Sequence, residues 1–223
     1  MAGYKVHSFD KIPSTQDTAH QMILDGRADD RTAIVAQAQS AGRGRYRRKW
    51  VSHHGNLYVS FIYSAPERDS RLAYVVAVAV SETLKSYGID CEIKWPNDIL
   101  VGGKKISGIL IEYSGPYVIV GIGINIKSNP TVDAYKTTKI EQQIPTPPTP
   151  TDVLARLMRN LDKWQSADFL TVRQYWLDHV VGLNGTVSYQ GQPAILVGMN
   201  ENGGLILRRQ SRYLMVYGDE ISM

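Results

Sequence analysis

Ile106-Ser107-Gly108-Ile109-Leu110-Ile111-Glu112-Tyr113-Ser114-Gly115-Pro116-Tyr117-Val118-Ile119-Val120-Gly121-Ile122-Gly123-Ile124-Asn125-Ile126 decides the architecture. Ser114-Gly115-Pro116 is a turn signal between two apolar runs, so the segment reads as a hairpin of strands at 106–113 and 117–126. Gly121-Ile122-Gly123 resembles a dinucleotide fingerprint only superficially. The third glycine, due at 126, is Ile126, and no helical pattern follows, which rejects a Rossmann crossover. Gly102-Gly103-Lys104-Lys105 just upstream fails the P-loop spacing, because position 98 is Asp98 and no hydroxyl follows the lysines. The chain has no Gly-x-Ser-x-Gly elbow either. Covalent catalysis by one of its side chains therefore has no candidate.

Outward from the hairpin, alternation at 4–9 predicts a first strand. Ser14-Thr15 stand where a helix N-cap belongs, and Ala19, Met22 and Ile23 form the apolar face of a helix from Gln16 to Asp25 that Gly26 stops. Further strands are expected at 33–39, 57–63 and 92–95, with a helix from Ser70 to Tyr87 between the last two. After Asn125 the pattern dissolves into polar sequence ending in Pro145-Thr146-Pro147-Pro148-Thr149-Pro150, a stiff extended spacer. Helices fit 151–165 and 168–179. Short strands at 185–189, 194–199, 205–209 and 214–217, with turns at Gln190-Gly191 and Asn202-Gly203-Gly204, suggest a small β-barrel. The expected division is residues 1–182 and 183–223.

The 223 residues carry 25 Lys and Arg against 21 Asp and Glu. Five of those cations fall in Gly42-Arg43-Gly44-Arg45-Tyr46-Arg47-Arg48-Lys49-Trp50, and without them the balance is 20 against 21. The basic character thus belongs to one loop. An electrostatic footprint for nucleic acid usually extends further. No apolar run approaches the ~20 residues that span a bilayer, and no signal pattern opens the chain. Cys91 is the only cysteine, which excludes an intrachain disulfide and favours a cytoplasmic setting. His53-His54 have no partner at metal-ligand spacing, so no zinc site is read.

What remains is a set of polar groups at strand ends: Gln39, the basic loop, Lys94-Trp95-Pro96-Asn97-Asp98, Lys105 and Asn125. Each alone has a structural explanation. Trp-Pro-Asn-Asp could be a turn that bonds its own backbone, Lys105 a solvated hairpin residue, Asn125 a strand cap. The loop could be a solvated arginine-rich segment touching RNA or an acidic partner. Together they describe cations converging on phosphate beside a carboxylate-bearing substrate, an environment for phosphoryl or adenylyl transfer.

Gly42 to Trp50, Lys94 to Asp98, Lys105-Ile106-Ser107-Gly108-Ile109-Leu110-Ile111-Glu112 and Gly121 to Asn125 together closely resemble the biotin protein ligase family, in order and spacing, over positions about 10 to 126. The tail Gly218-Asp219-Glu220-Ile221-Ser222 is similar to the end of that family's SH3-like domain. The resemblance implies an α+β fold: a mixed β-sheet ligase domain of the class II aminoacyl-tRNA synthetase and biotin–lipoate ligase type, followed by a small SH3-like barrel. It implies that biotin and Mg-ATP give biotinyl-5′-AMP, and that biotin passes to a lysine of a biotin carboxyl carrier protein. Ser14, Thr15, Gln16, Gln39, Gly42, Arg43, Gly44 and Arg45 would then bind biotin, with Lys105, Gly108, Gly121 and Gly123. Arg45, Arg48, Trp50, Asn97, Lys105 and Asn125 would bind ATP. Lys105, Arg45 and Asp98 would be catalytic, Asp98 orienting Mg²⁺ or receiving the lysine proton. Some relatives carry an N-terminal winged-helix repressor domain. Here the ligase pattern begins almost at Met1, so no DNA partner is expected. No membrane partner is expected either, and a homodimer is allowed.

Two positions depart from the family pattern. Gln16 stands where asparagine is frequent and Arg47 where glycine is common. Val132 and Tyr135 are the candidates for enclosing adenine after Asn125. A lipoate ligase shares the fold, but the intact basic loop with Lys-Trp-Pro-Asn-Asp argues for biotin. A nucleic-acid-binding module is the alternative of another class.

Overall fold

The computed structural model describes residues 3–65, 67–132, 135–217 and 221–222. Gly218 to Glu220, which carry most of the tail motif, lie outside the described residues. Twelve strands and four α-helices appear among those described: β1 (Lys5–Ile12), α1 (Thr15–Leu24), β2 (Thr32–Gln39), β3 (Leu57–Ser64), α2 (Leu72–Lys85), β4 (Glu92–Lys94), β5 (Asp98–Val101), β6 (Lys104–Ser114), β7 (Tyr117–Ile124), α3 (Pro150–Gln165), α4 (Phe169–His179), β8 (Thr186–Tyr189), β9 (Gln192–Met199), β10 (Leu205–Arg209), β11 (Arg212–Val216) and β12 (Ile221–Ser222).

A seven-stranded sheet has the order β1-β2-β3-β7-β6-β5-β4. Only β1 and β2 run parallel; the other pairs are antiparallel. The expected hairpin is β6 and β7, and it occupies the middle of the sheet rather than an edge. Sequence reading omitted β5. Its four residues begin at Asp98, the last of the Trp-Pro-Asn-Asp segment, and turn back through Gly102 and Gly103, both in the left-handed region (φ 53° and 71°). The glycine pair serves a hairpin, which is why it resembles a phosphate loop without its spacing.

Alternation sorts the central strands onto two faces. Ile34, Ile62 and Ile119 meet Ala19 and Met22 of α1 on one face. Val59, Phe61, Val120 and Ile122 point the other way, into a larger core with α2 and α3. The consecutive run Val76, Ala77, Val78, Ala79 and Val80 is buried, so the middle of α2 is enclosed on all sides. Thr149 and Asp152 form a reciprocal capping box at the start of α3, so the helix takes the last two residues of the expected spacer, Thr149 as cap and Pro150 as its first residue.

The C-terminal strands form one antiparallel sheet, β11-β10-β9-β8-β12, of SH3-like type. No β11–β12 pairing closes it among the described residues. Val187, Leu196, Met199 and Leu205 share the large core with Tyr74, Trp95 and Trp176, so apolar packing runs across the expected boundary at 182. Tyr74 donates to the Gly203 carbonyl at 2.5 Å. No described helix is long and apolar enough to cross a membrane.

Candidate active site

A cleft of about 700 Å³ opens on the α1 face of the large sheet, at the C-terminal ends of β2 and β7. Its floor follows from register. Gly108 pairs with Gly123 and Leu110 with Gly121 across β6–β7, and Gly121 and Gly123 face Ser60 and Tyr58 on β3. Three glycines thus leave neighbouring rungs bare. Two elements use that space. A Cβ on Gly121 would lie 2.5 Å from Gln16 Oε1, and one on Gly123 would lie 2.6 Å from the Trp50 indole. A Cβ on Gly108 would meet the same indole at 2.9 Å. The glycines were expected to bind biotin; in this structure Gln16 and Trp50 lie over them and form the upper layer of the floor. Gly123→Ala should therefore expel Trp50 and destabilise the chain by about 1–3 kcal/mol, as overpacking does. Urea unfolding checks this, and Gly123→Ala should have little effect once Trp50 is already alanine.

The N-terminal end of α1 forms one wall. Ser14 caps the helix through the Asp17 amide at 3.3 Å. Gln39 Oε1 accepts from the Thr15 amide at 2.7 Å and its hydroxyl at 3.2 Å. Gln39 Nε2 donates to Ser52 Oγ at 2.8 Å, and Ser52 donates to the Trp50 carbonyl at 3.1 Å. Ser60 Oγ sits 2.9 Å from both Thr15 Oγ1 and Gln16 Oε1. Gln16 Nε2 donates to Glu112 Oε2 at 3.0 Å. Ser14, Thr15, Gln16 and Gln39 are thus brought together. Ser52, Ser60 and Glu112 join them without having been assigned roles. The signal for two of them was present: Ser60 interrupts the apolar run of β3, and Glu112 directly follows Ile109-Leu110-Ile111 in β6.

The basic loop roofs the cleft as a narrow hairpin. Arg43 bridges to Lys49, the Trp50 amide donates to Gly42 O at 2.8 Å, and Arg45–Arg47 form a tight left-handed turn at the tip, closed by the Arg48 amide on the Arg45 carbonyl at 3.1 Å. Gly42 is obligatory, since a Cβ there would lie 2.6 Å from the Trp50 carbonyl. Arg43 lines the cleft, but its guanidinium is committed elsewhere. Its guanidinium grips Glu112 with two bonds of 2.6 and 2.9 Å and Asp17 with a third of 2.8 Å. Burial pushes the Glu112 carboxyl up, but bonds from Arg43, Gln16 and His20 outweigh it and hold the group at about 2. A depressed carboxylate contributes its stabilisation above its ordinary value of 4.5 and loses it as pH falls toward about 2. The anchor is therefore intact across neutral pH.

Arg45 and Arg48 flank the Tyr46 ring at 5.1 and 5.5 Å, and both line the cleft. Tyr46 and Arg47 hold positive φ, 54° and 57°. This explains why glycine suits position 47: a side chain in the left-handed region costs about 1–2 kcal/mol. Arg47→Gly should leave stability unchanged or slightly raised, and Arg47→Val should lower it. Urea midpoints decide.

Lys105 is the cation on the floor. Its Nζ lies 2.6 Å from Asp98 Oδ1 and over the Trp50 and Tyr135 rings at 5.3 and 5.2 Å. Burial first, then the nearby Asp98 charge, raises the Tyr135 hydroxyl above its ordinary range. Asp98 is the sole carboxylate among the described cleft-lining residues. Asn97 and Asn125 work as braces. Asn97 Nδ2 donates to Ile109 O at 3.0 Å, and buried Asn125 Nδ2 donates to Thr138 O at 3.0 Å. Asn125 Oδ1 is buried without a hydrogen-bond partner, beside a small recess shared with Trp50, Val132 and Tyr135. The polar segment expected to be shapeless is paired instead: Lys105 donates to Lys136 O and accepts from the Thr138 amide, both at 2.9 Å. From the C-terminal sheet, Ser188, Gln190 and Gly191 reach the cleft rim.

Residues 8–129 match the model of the biotin/lipoate A/B protein ligase family. The bifunctional ligase/repressor BirA of Bacillus spizizenii is 32% identical over 241 residues, covering 96% of this chain and 72% of that protein. The biotin–[acetyl-CoA-carboxylase] ligase of Paracoccus denitrificans is 30% identical over 206 residues, covering 78% of this chain and 83% of its own. The biotin protein ligase of Aquifex aeolicus, solved with biotin and ATP, superposes with a TM-score of 0.85 at 29% identity, covering 98% of this chain and 97% of that one.

Proposed function

Because this chain belongs to the biotin/lipoate A/B protein ligase family and is an ATP-dependent biotin–protein ligase, we propose that the cleft over the glycine floor holds both reactants and that Lys105 joins them. The enzyme forms biotinyl-5′-AMP from biotin and ATP and transfers biotin to a protein lysine. The proposed acceptor is a biotin carboxyl carrier protein. The single observation that carries the arrangement is the placement of Lys105 Nζ against Asp98, between the indole of Trp50 and the ring of Tyr135.

In the first step a biotin carboxylate oxygen attacks the α-phosphorus and the bond to pyrophosphate breaks. Two anions must approach. One cation ~4 Å away contributes about 4 kcal/mol at an effective dielectric near 20. Lys105 from the floor and Arg45 and Arg48 from the roof supply this field. Arg43 is already neutralised by Glu112 and Asp17, so its part is to hold the loop. The ureido end of biotin would meet Ser14, Thr15, Gln16 and Gln39. Adenine would lie beside Trp50 and Tyr135, whose rings must part to admit it because the recess between them holds only about 20 Å³; Asn125 Oδ1 there offers a free acceptor.

In the second step the acceptor amine attacks the acyl carbon, AMP leaves, and one proton must go elsewhere. Once the adenylate engages Lys105, the competing pair with Asp98 weakens and that carboxylate becomes available as proton acceptor. Asp98 does not fit a metal site: it is a lone carboxylate already paired with an ammonium. No group of three metal-binding side chains occurs among the described residues. Magnesium would enter as part of the Mg-ATP substrate, held mainly by phosphate and water.

ATP–pyrophosphate exchange tests the reading. Exchange dependent on biotin is expected. Exchange dependent on lipoate alone would overturn it.

A further inference from the structure

The hydrogen bonds beneath the cleft form a closed circuit. It leaves the basic loop at Arg43 and crosses to Glu112 on β6 (2.6 and 2.9 Å), then to Gln16 (3.0 Å) and Ser60 (2.9 Å). It continues through Thr15 and Gln39 to Ser52 and re-enters the loop at the Trp50 carbonyl (3.1 Å). Both ends of the roof are therefore fastened to the amides and hydroxyls proposed above for the ureido end. Each donor in the middle of the circuit is committed to a neighbour. A ligand that takes one of them must shift the others.

We propose that Glu112 is a positioning residue that couples occupancy of the ureido subsite to closure of the 42–50 loop. The inference rests on the biotin-ligase reading of the cleft. Glu112 is suited to the task because one carboxylate serves two elements at once. Oε1 and Oε2 take the bidentate Arg43 fork, while Oε2 also takes Gln16 and sits 3.1 Å from His20 Nε2. The Gln16 carboxamide occupies the space that a side chain at Gly121 would fill. A ligand pulling on its amide is transmitted along the strand face to Glu112 and so to Arg43. The longer glutamine makes this reach possible from α1.

Limited proteolysis of the 42–50 loop and stopped-flow release of biotinyl-AMP test the coupling. Wild-type loop cleavage should slow when biotin is added. With Glu112→Ala that protection should be lost and the adenylate should leave about tenfold faster, the loss of one charge-assisted anchor. The rate of adenylate formation at saturating biotin should change less than threefold, because no reacting atom touches Glu112. Arg43→Ala should reproduce both effects, and the double variant should be no worse than either single one. Glu112→Asp, which keeps the charge, should recover part of the protection. Should Glu112→Ala fail to fold, Arg43→Ala with Glu112→Asp still decides. Unchanged protection in the variants, or a fall in the saturated rate with affinity intact, would overturn the proposal. Loss of biotin-dependent exchange in the wild type would instead overturn the reading beneath it.

Discussion

Lys105→Ala is expected to lower biotin-dependent ATP–pyrophosphate exchange by about a hundredfold to a thousandfold, the range for removing one preorganised charge donor from a developing anion. The ammonium is set between the Trp50 and Tyr135 rings with Asp98 at 2.6 Å, so it needs little reorganisation when the reactants arrive. Its interaction strengthens as carboxylate and phosphate approach, and it therefore acts on the barrier more than on substrate binding. Transfer from supplied biotinyl-AMP should fall less, since the two anions are by then joined. The alanine variant also leaves Asp98 without its cation. Lys105→Met should match Lys105→Ala in exchange, and Asp98→Asn should preserve most exchange while slowing transfer. An equal loss in both half-reactions for Lys105→Ala would refute the assigned role.

The parts of this site that were legible in sequence share a property: their chemistry is local. The hairpin is marked by Ser114-Gly115-Pro116, the roof by five cations in nine residues, the α1 cap by Ser14-Thr15. Register is not local. Only the β3–β7–β6 pairing puts Gly121 beside Ser60 and Gly123 beside Gly108. The glycines were assigned to biotin alone, because the chain does not say that Gln16 and Trp50 come to lie on them. Arg43 was counted with the other cations for the same reason. Its partners, Asp17 and Glu112, are 26 and 69 residues away. The segment after Asn125 was missed because its order comes from pairing with Lys105 and Asn125, not from periodicity of its own.

Arg45→Gly carries the second large effect. The loop's anchors are Arg43 on Glu112 and the Trp50 indole on Gly123, and neither involves Arg45, so this substitution should spare the hairpin. What it removes is a cation at the tip, facing the proposed anionic centre of the adenylate. A charge-assisted bond contributes roughly 1.5–3 kcal/mol, and its loss raises the off-rate about tenfold to a hundredfold. The variant should still make biotinyl-AMP, more slowly or at higher biotin concentration, and then release it. A free mixed anhydride acylates any exposed lysine. Serum albumin added as bystander should therefore become biotinylated in proportion to its concentration, with no carrier protein present. A second control follows from the geometry: Arg47→Gly, two residues on in the same turn and exposed, should retain the adenylate as the wild type does. If Arg45→Gly makes adenylate at a measurable rate yet labels only the carrier, retention belongs to the floor and the anchors, and the tip of the loop is not the lid.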